Sequence, residues 1–118
     1  MNIIETDKYK KSYNKLLKRC TKEKKRIQDI KDFLIGKNNL HEVLIDPFKN
    51  IYHIEQLHHN RKDFSARIDN SNNKLRLIMM PIGEYPYNTI EITDIEFVDI
   101  DNDHYKKGWN ICTDLEVC

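Results

Sequence analysis

Nowhere in this 118-residue chain does an apolar run approach the ~18 residues that a membrane-spanning helix needs. The longest, Leu77-Ile78-Met79-Met80-Pro81-Ile82, has the length of a buried strand. The opening Met1-Asn2-Ile3-Ile4-Glu5 lacks the basic-then-apolar order of a secretory leader. A cytoplasmic protein with no membrane partner is therefore expected. Cysteine is scarce, and Cys20, Cys112 and Cys118 have neither pairing nor metal-ligand spacing. With no Cys-x-x-Cys and no His-x-x-x-His, the sequence argues for no metal or other cofactor. An odd number of cysteines without a leader points to reduced thiols. Glycine and proline occur three times each, so boundaries between elements are sparsely marked. There is no internal repeat or low-complexity tract.

Charge is plentiful but nearly balanced, at +1 overall. Its distribution is uneven. Residues 1–40 carry +7, residues 61–76 carry +3, and residues 84–103 hold seven acidic residues and no basic one. The net value decides nothing about nucleic acid, whereas the segregation leaves a nucleic-acid partner open.

The length suits one domain. Ile3 and Ile4 form a short first strand. Thr6 or Asp7 then caps a helix whose apolar stripe is Tyr9, Tyr13, Leu16, Leu17 and Cys20. Thr21 caps a second helix with Ile27, Ile30 and Leu34 inward and Gly36 as its stop. The two are expected to form an antiparallel helical hairpin. Asn39-x-x-Glu42 has the spacing of a capping box for a short helix through Leu44, which Pro47 would end. Residues 46–60 read as a connector. Phe64, Ala66 and Ile68 alternate with polar residues, an Asn-rich turn follows, and Lys74 to Met80 returns as a second strand. Ile90 to Ile100 reads as a last strand with a register shift, and hence a bulge, near Thr93-Asp94. Helices followed by a meander predict an α+β fold, the helices packed on one face of a small antiparallel sheet. Residues 1–106 would be the domain and residues 107–118 a tail.

Four groups could carry chemistry. Arg61, Lys62, Arg67, Lys74 and Arg76 surround the hairpin, and guanidinium groups on a rigid sheet suit phosphates. A sheet face made soluble by basic residues explains the same composition. His58-His59 precede the hairpin and His104-Tyr105 follow the last strand, where imidazole suits acid/base work and tyrosine suits base stacking. Glu91, Asp94, Glu96, Asp99, Asp101 and Asp103 read as the solvated side of an edge strand. The lysine-rich helices could touch phosphates or simply be a solvated face.

Three stretches carry a resemblance. Leu57-His58-His59-Asn60-Arg61-Lys62-Asp63-Phe64-Ser65-Ala66-Arg67-Ile68, Asn73-Lys74-Leu75-Arg76-Leu77-Ile78-Met79-Met80-Pro81 and Ile95-Glu96-Phe97-Val98-Asp99-Ile100-Asp101-Asn102-Asp103-His104-Tyr105-Lys106 resemble, in order and spacing, HigB-type toxins of the RelE/ParE toxin–antitoxin superfamily. The resemblance implies a RelE-like microbial RNase fold and a ribosome-dependent mRNA endonuclease that inhibits translation without a metal. It also implies a cognate antitoxin, typically of helix-turn-helix type, through which alone DNA would be met. Arg67 and Arg76 would stabilise the scissile phosphate, with His104 as acid/base, Tyr105 stacking on a base and Asp103 positioning its neighbours. His58, His59, Arg61, Lys62 and Lys74 would hold RNA. Many relatives end Asp-Tyr-His, whereas the order here is Asp103-His104-Tyr105. A ParE-like gyrase inhibitor and a non-catalytic antitoxin-binding module are the alternatives on the same fold.

Overall fold

The computed structural model describes residues 1–58, 60–68 and 75–102. His59, Lys74, Asp103, His104, Tyr105 and the tail 107–118 lie outside the described residues. Strand β1 (Asn2–Glu5) leads into helix α1 (Asp7–Leu16), followed by α2 (Thr21–Ile35) and a short α3 (Leu40–Ile45). A 3-10 turn (Pro47–Asn50) precedes β2 (Glu55–Gln56), β3 (Phe64–Arg67), β4 (Leu75–Pro81) and β5 (Asp94–Asn102). The α+β class is as expected, and the five strands form one sheet in the order β1-β5-β4-β3-β2.

Thr6 is the cap of α1. Its hydroxyl accepts from the Tyr9 amide at 3.1 Å and approaches the carbonyls of Phe97 and Val98 at 3.0 Å each, tying the helix start to β5. Helix α2 starts one residue earlier than expected: Cys20 occupies the cap position and Thr21 is already helical. Gly36 ends α2, although in a right-handed conformation (φ −71°), so no positive φ requires glycine there. The hairpin runs antiparallel. Lys24, near the start of α2, lies over the Tyr13 ring, while Lys31 further along pairs with Glu5, just before α1, at 2.5 Å. Cys20 is fully buried and disulfide-bonded. The expectation of reduced thiols therefore fails at Cys20, because spacing along a chain does not reveal which sulfurs meet.

Asn39 caps α3 by accepting from the Glu42 amide at 3.0 Å. Glu42 reaches back one residue further than a capping box does, to the Asn38 amide at 2.8 Å, and these bonds hold its carboxyl below the usual range. Pro47 does not end the segment in coil but begins the 3-10 turn, capped by the Asp46 carboxylate on the Phe48 amide at 2.8 Å. Residues 46–60 are thus more than a connector, since β2 pairs Glu55 with Ser65 and Gln56 with Phe64.

Three expectations for the last strand are corrected. It begins at Asp94, after a turn at residues 90–91, and it is interior. Strand β1 covers its edge in parallel over Asp94 to Phe97, pairing Ile3 with Ile95 and Glu5 with Phe97, so Asp94 and Glu96 do not line an open edge. The bulge is at Val98, because Ile78 faces Asp99 while Met79 faces Phe97. The extra residue lets Ile95 and Phe97 before it, and Ile100 after it, all reach the core, with Asp99 and Asp101 turned to the other face. Strict alternation from Phe97 would have driven both carboxylates into the core.

Leu75, Leu77 and Met79 of β4, Phe64 and Ala66 of β3, and Ile95, Phe97 and Ile100 of β5 make the buried face. The helices supply Tyr9, Leu17, Ile27, Ile30 and Leu34 against it. Tyr9 meets Phe97 edge-on at 5.4 Å. Its hydroxyl is buried with no hydrogen-bond partner, and burial, then the Glu5 carboxylate, pushes the phenol well up. Tyr9→Phe is expected to raise stability by about 1 kcal/mol, since it removes an unsatisfied buried group at almost constant shape. Thermal unfolding checks this, and a lower melting temperature would show the hydroxyl to be hydrogen-bonded.

Candidate nucleic-acid interface

The alternation on β4 that sends Leu75, Leu77 and Met79 inward sends Arg76, Ile78 and Met80 to the face away from the helices. Arg67 and Arg76 are direct register partners on β3 and β4. The Arg67 amide donates to the Tyr52 carbonyl at 2.8 Å, on the side away from β4. The two arginines are therefore a non-hydrogen-bonded pair, the closer of the two antiparallel types, with Cα atoms about 4.5 Å apart. Like charges directly opposite each other oppose pairing. On the other side of Arg76 its β5 partner is Asp101. One row of the sheet thus reads Arg67, Arg76, Asp101, all half-buried.

The histidine beside this row is one that the sequence did not single out. His53 Nε2 lies 3.4 Å from Arg67 Nη1. A guanidinium only donates, so the imidazole nitrogen facing it carries a lone pair. His53 is exposed and has φ 51°, in the left-handed region that histidine enters more readily than most residues. The turn after the 3-10 helix sets it there: the His53 amide donates to Asn50 O at 3.3 Å and the Ile54 amide to Lys49 O at 3.0 Å. Arg26 of α2 fixes the same segment. Its Nε donates to Arg67 O at 3.2 Å and its Nη2 to Ile51 O at 2.5 Å, with the guanidinium 4.9 Å from the centre of the Tyr52 ring. Nothing local distinguishes Arg26 from the other basic residues of α2, or His53 from His58.

The remaining described basic residues lie at the other end of the face. His58, Arg61 and Lys62 are exposed on the turn that precedes β3, next to Phe64 rather than Arg67. The turn is closed by Leu57 N to Asp63 O at 3.0 Å and by Asn60 Nδ2 to Asp63 at 3.0 Å. Burial raises the Asp63 carboxyl above its usual value. Strand β4 covers the separation: Arg76 to Met80 is four residues, about 13 Å. The structure thus joins Arg67 with Arg76, adds His53, and sets Arg61, Lys62 and His58 apart from them along one surface.

Asp99, next in line on β5, is held by Lys8 at 3.5 Å and by the Ser12 hydroxyl at 2.5 Å. Among the described residues no group of histidine, cysteine and carboxylate side chains could hold a metal ion, and no helix is long and apolar enough to cross a membrane.

No family model and no curated protein sequence matches the chain. Solved structures do. The chain is similar to YafQ from E. coli BL21(DE3) with TM-score 0.59 and 13% identity, over 89% of this chain and 96% of that one. A mutant of E. coli YafQ gives TM-score 0.56 at 15% identity, with the same coverage. The YoeB/ParE toxin from Agrobacterium tumefaciens gives 0.54 at 14% identity, over 86% of this chain and 98% of that one. At these identities the likeness is one of fold, and it spans nearly the whole of both partners.

Proposed function

We propose that the chain is a toxin of the RelE/ParE superfamily that cleaves mRNA on the ribosome and is held in check by a cognate antitoxin. The observation that carries this reading is the Arg67–Arg76 pair, directly opposed on the open face of the sheet with His53 at 3.4 Å. The fold shared with YafQ and with a YoeB/ParE toxin supports it. The finer HigB assignment rests on the sequence motifs alone.

Two guanidinium groups at the closest cross-strand spacing suit an anion placed between them, and a phosphodiester has that charge. During cleavage the ribose 2′-hydroxyl attacks the adjacent phosphorus and the 5′-oxygen leaves. Negative charge builds on the non-bridging oxygens, where Arg67 and Arg76 stabilise it more than in the ground state. A base must take the 2′-proton and an acid must supply one to the 5′-oxygen. His53 stands beside the arginines, its Nε2 at 3.4 Å from Arg67 Nη1, and serves as base. His104 is the partner acid in this reading, with Asp103 and Tyr105 setting its position and stacking on a base. His58, Arg61 and Lys62 hold the RNA backbone further along, and His59 and Lys74 extend the same contact. No step requires a metal.

Induced expression in a bacterial host is expected to arrest growth and to create new mRNA 5′ ends within translated codons. Mapping of 5′ ends checks this. A harmless chain that leaves mRNA intact on programmed ribosomes overturns the proposal, and a DNA-damage response with intact mRNA would move the function to gyrase.

A further inference from the structure

The end of the open face away from the arginines is not flat. The loop after β4 folds over it and leaves an open cleft of about 570 Å³ lined by Met80, Glu96, Lys62, Tyr85 and Tyr87. Met80 and Glu96 are register partners on the same face as Arg76. The cleft is thus the continuation of the candidate site, about 13 Å along β4 from Arg76.

Its walls have distinct chemistry. Tyr87 is fixed: its ring packs on Phe64 at 6.4 Å and its hydroxyl donates to Lys62 O at 2.6 Å. Tyr85 stands edge-to-face on Tyr87 at 5.4 Å and 84°, which orients its ring while leaving the residue 40% exposed. Gly83 sits against the Ile92 side chain, where a Cβ would come within 2.4 Å of Ile92 Cδ1, so the loop packs closely at its base. The cleft also holds two carboxylates, the exposed Glu84 and the half-buried Glu96, the latter with no hydrogen-bond or ion-pair partner among the described residues. Lys62 places a cation at the rim.

We infer that this cleft takes one unpaired base of the RNA, stacked on Tyr85 and read by Glu96, with guanine preferred. The inference rests on the proposed function and adds to it the identity of a base next to the cleaved bond. A carboxylate only accepts hydrogen bonds. Guanine offers it two parallel N–H donors, the imino N1–H and the amino group at C2, in a charge-assisted fork. On the same edge adenine and cytosine each offer an amino group beside a ring nitrogen that repels the carboxylate. Uracil offers one N–H between two carbonyls. Stacking on Tyr85 is indifferent to the base, so the tyrosine supplies affinity and Glu96 the choice. Met80 closes the floor with an adaptable apolar side chain. Lys62 meets the phosphate of the same nucleotide, while Arg67 and Arg76 meet the scissile one.

The test uses fluorescence anisotropy with the full chain and 2′-O-methyl hexanucleotides, in which the nucleophile is blocked. The probes are all-uridine, or uridine with a single guanosine or adenosine. The guanosine probe is expected to bind about 10-fold more tightly than the other two, within the range of one specific base contact. Glu96→Gln should erase that preference. Tyr85→Ala should weaken every probe by about 10-fold and Tyr85→Phe should restore it, since only the ring stacks. Circular dichroism of each variant establishes that it is folded. If Tyr85→Ala and Glu96→Gln bind all probes as the wild type does, while Arg67→Ala and Arg76→Ala lose binding, the cleft inference is overturned and the proposed function stands. If the wild type binds none of the probes and the arginine variants leave toxicity unchanged, both fall.

Discussion

Replacing Arg76 with alanine is expected to lower RNA cleavage by about 100- to 1,000-fold, the usual cost of losing one charge-stabilising donor. The same change should leave the melting temperature unchanged or slightly higher. The two outcomes have one cause. Arg76 is half-buried, faces Arg67 across the close type of antiparallel pair, and its side chain hydrogen-bonds to none of the described residues. Removing it relieves like-charge repulsion from Arg67 and gives up the attraction of Asp101, each worth tenths of a kcal/mol, and breaks no side-chain hydrogen bond among the described residues. Most half-buried strand residues lose stability on truncation, so a stable but inactive variant marks a group retained for function. Arg67→Ala should be equally inactive but less stable, because its side chain reaches His53. Single-turnover cleavage on programmed ribosomes with parallel thermal melts separates the cases. Full activity in Arg76→Ala would remove the arginine pair from the chemistry.

His53→Gly should slow cleavage by about 100- to 10,000-fold, the range for loss of a positioned base. The backbone makes glycine the informative choice. A left-handed residue with a Cβ costs roughly 1–2 kcal/mol there, which glycine removes, while its extra freedom in the unfolded chain returns up to about 1 kcal/mol. With the Arg67 contact also lost, stability is expected to stay roughly level as activity falls. His53→Asn tolerates the same backbone and should be as inactive, which excludes backbone relaxation as the cause. Cleavage that keeps its rate in His53→Gly would take His53 out of the mechanism and leave the base role to other groups.

The sequence was most informative where one periodicity ran uninterrupted. Phe64, Ala66 and Ile68 against Leu75, Leu77 and Met79 defined a hairpin with its inner face, and the same count set Arg67 and Arg76 on the other face. The stripe Ile27, Ile30, Leu34 fixed the inward side of α2, and Asn39 announced α3. It was less informative around Val98. An apolar pair at Ile95 and Phe97 followed by Val98 and Ile100 does break alternation there, and that break is the bulge. The eye is drawn earlier only by counting Ile90 and Ile92 as strand, when Ile92 is instead buried beneath the loop and its carbonyl accepts from the Leu40 amide at 2.9 Å.

Local pattern thus determined the class of the fold, the hairpin and the outward placement of the two arginines, because solvent exclusion acts on every second strand residue and every third or fourth helical one. Tertiary structure decided the rest. It made β5 interior by laying β1 beside it, brought Asp101 against Arg76, and set the loop bearing Tyr85 and Tyr87 beside Met80 and Glu96. It also carried His53 to Arg67 across fourteen residues of chain through a 3-10 turn and the bonds of Arg26. Those meetings depend on long-range pairing and on single hydrogen bonds, which leave no periodic trace in the residues that make them.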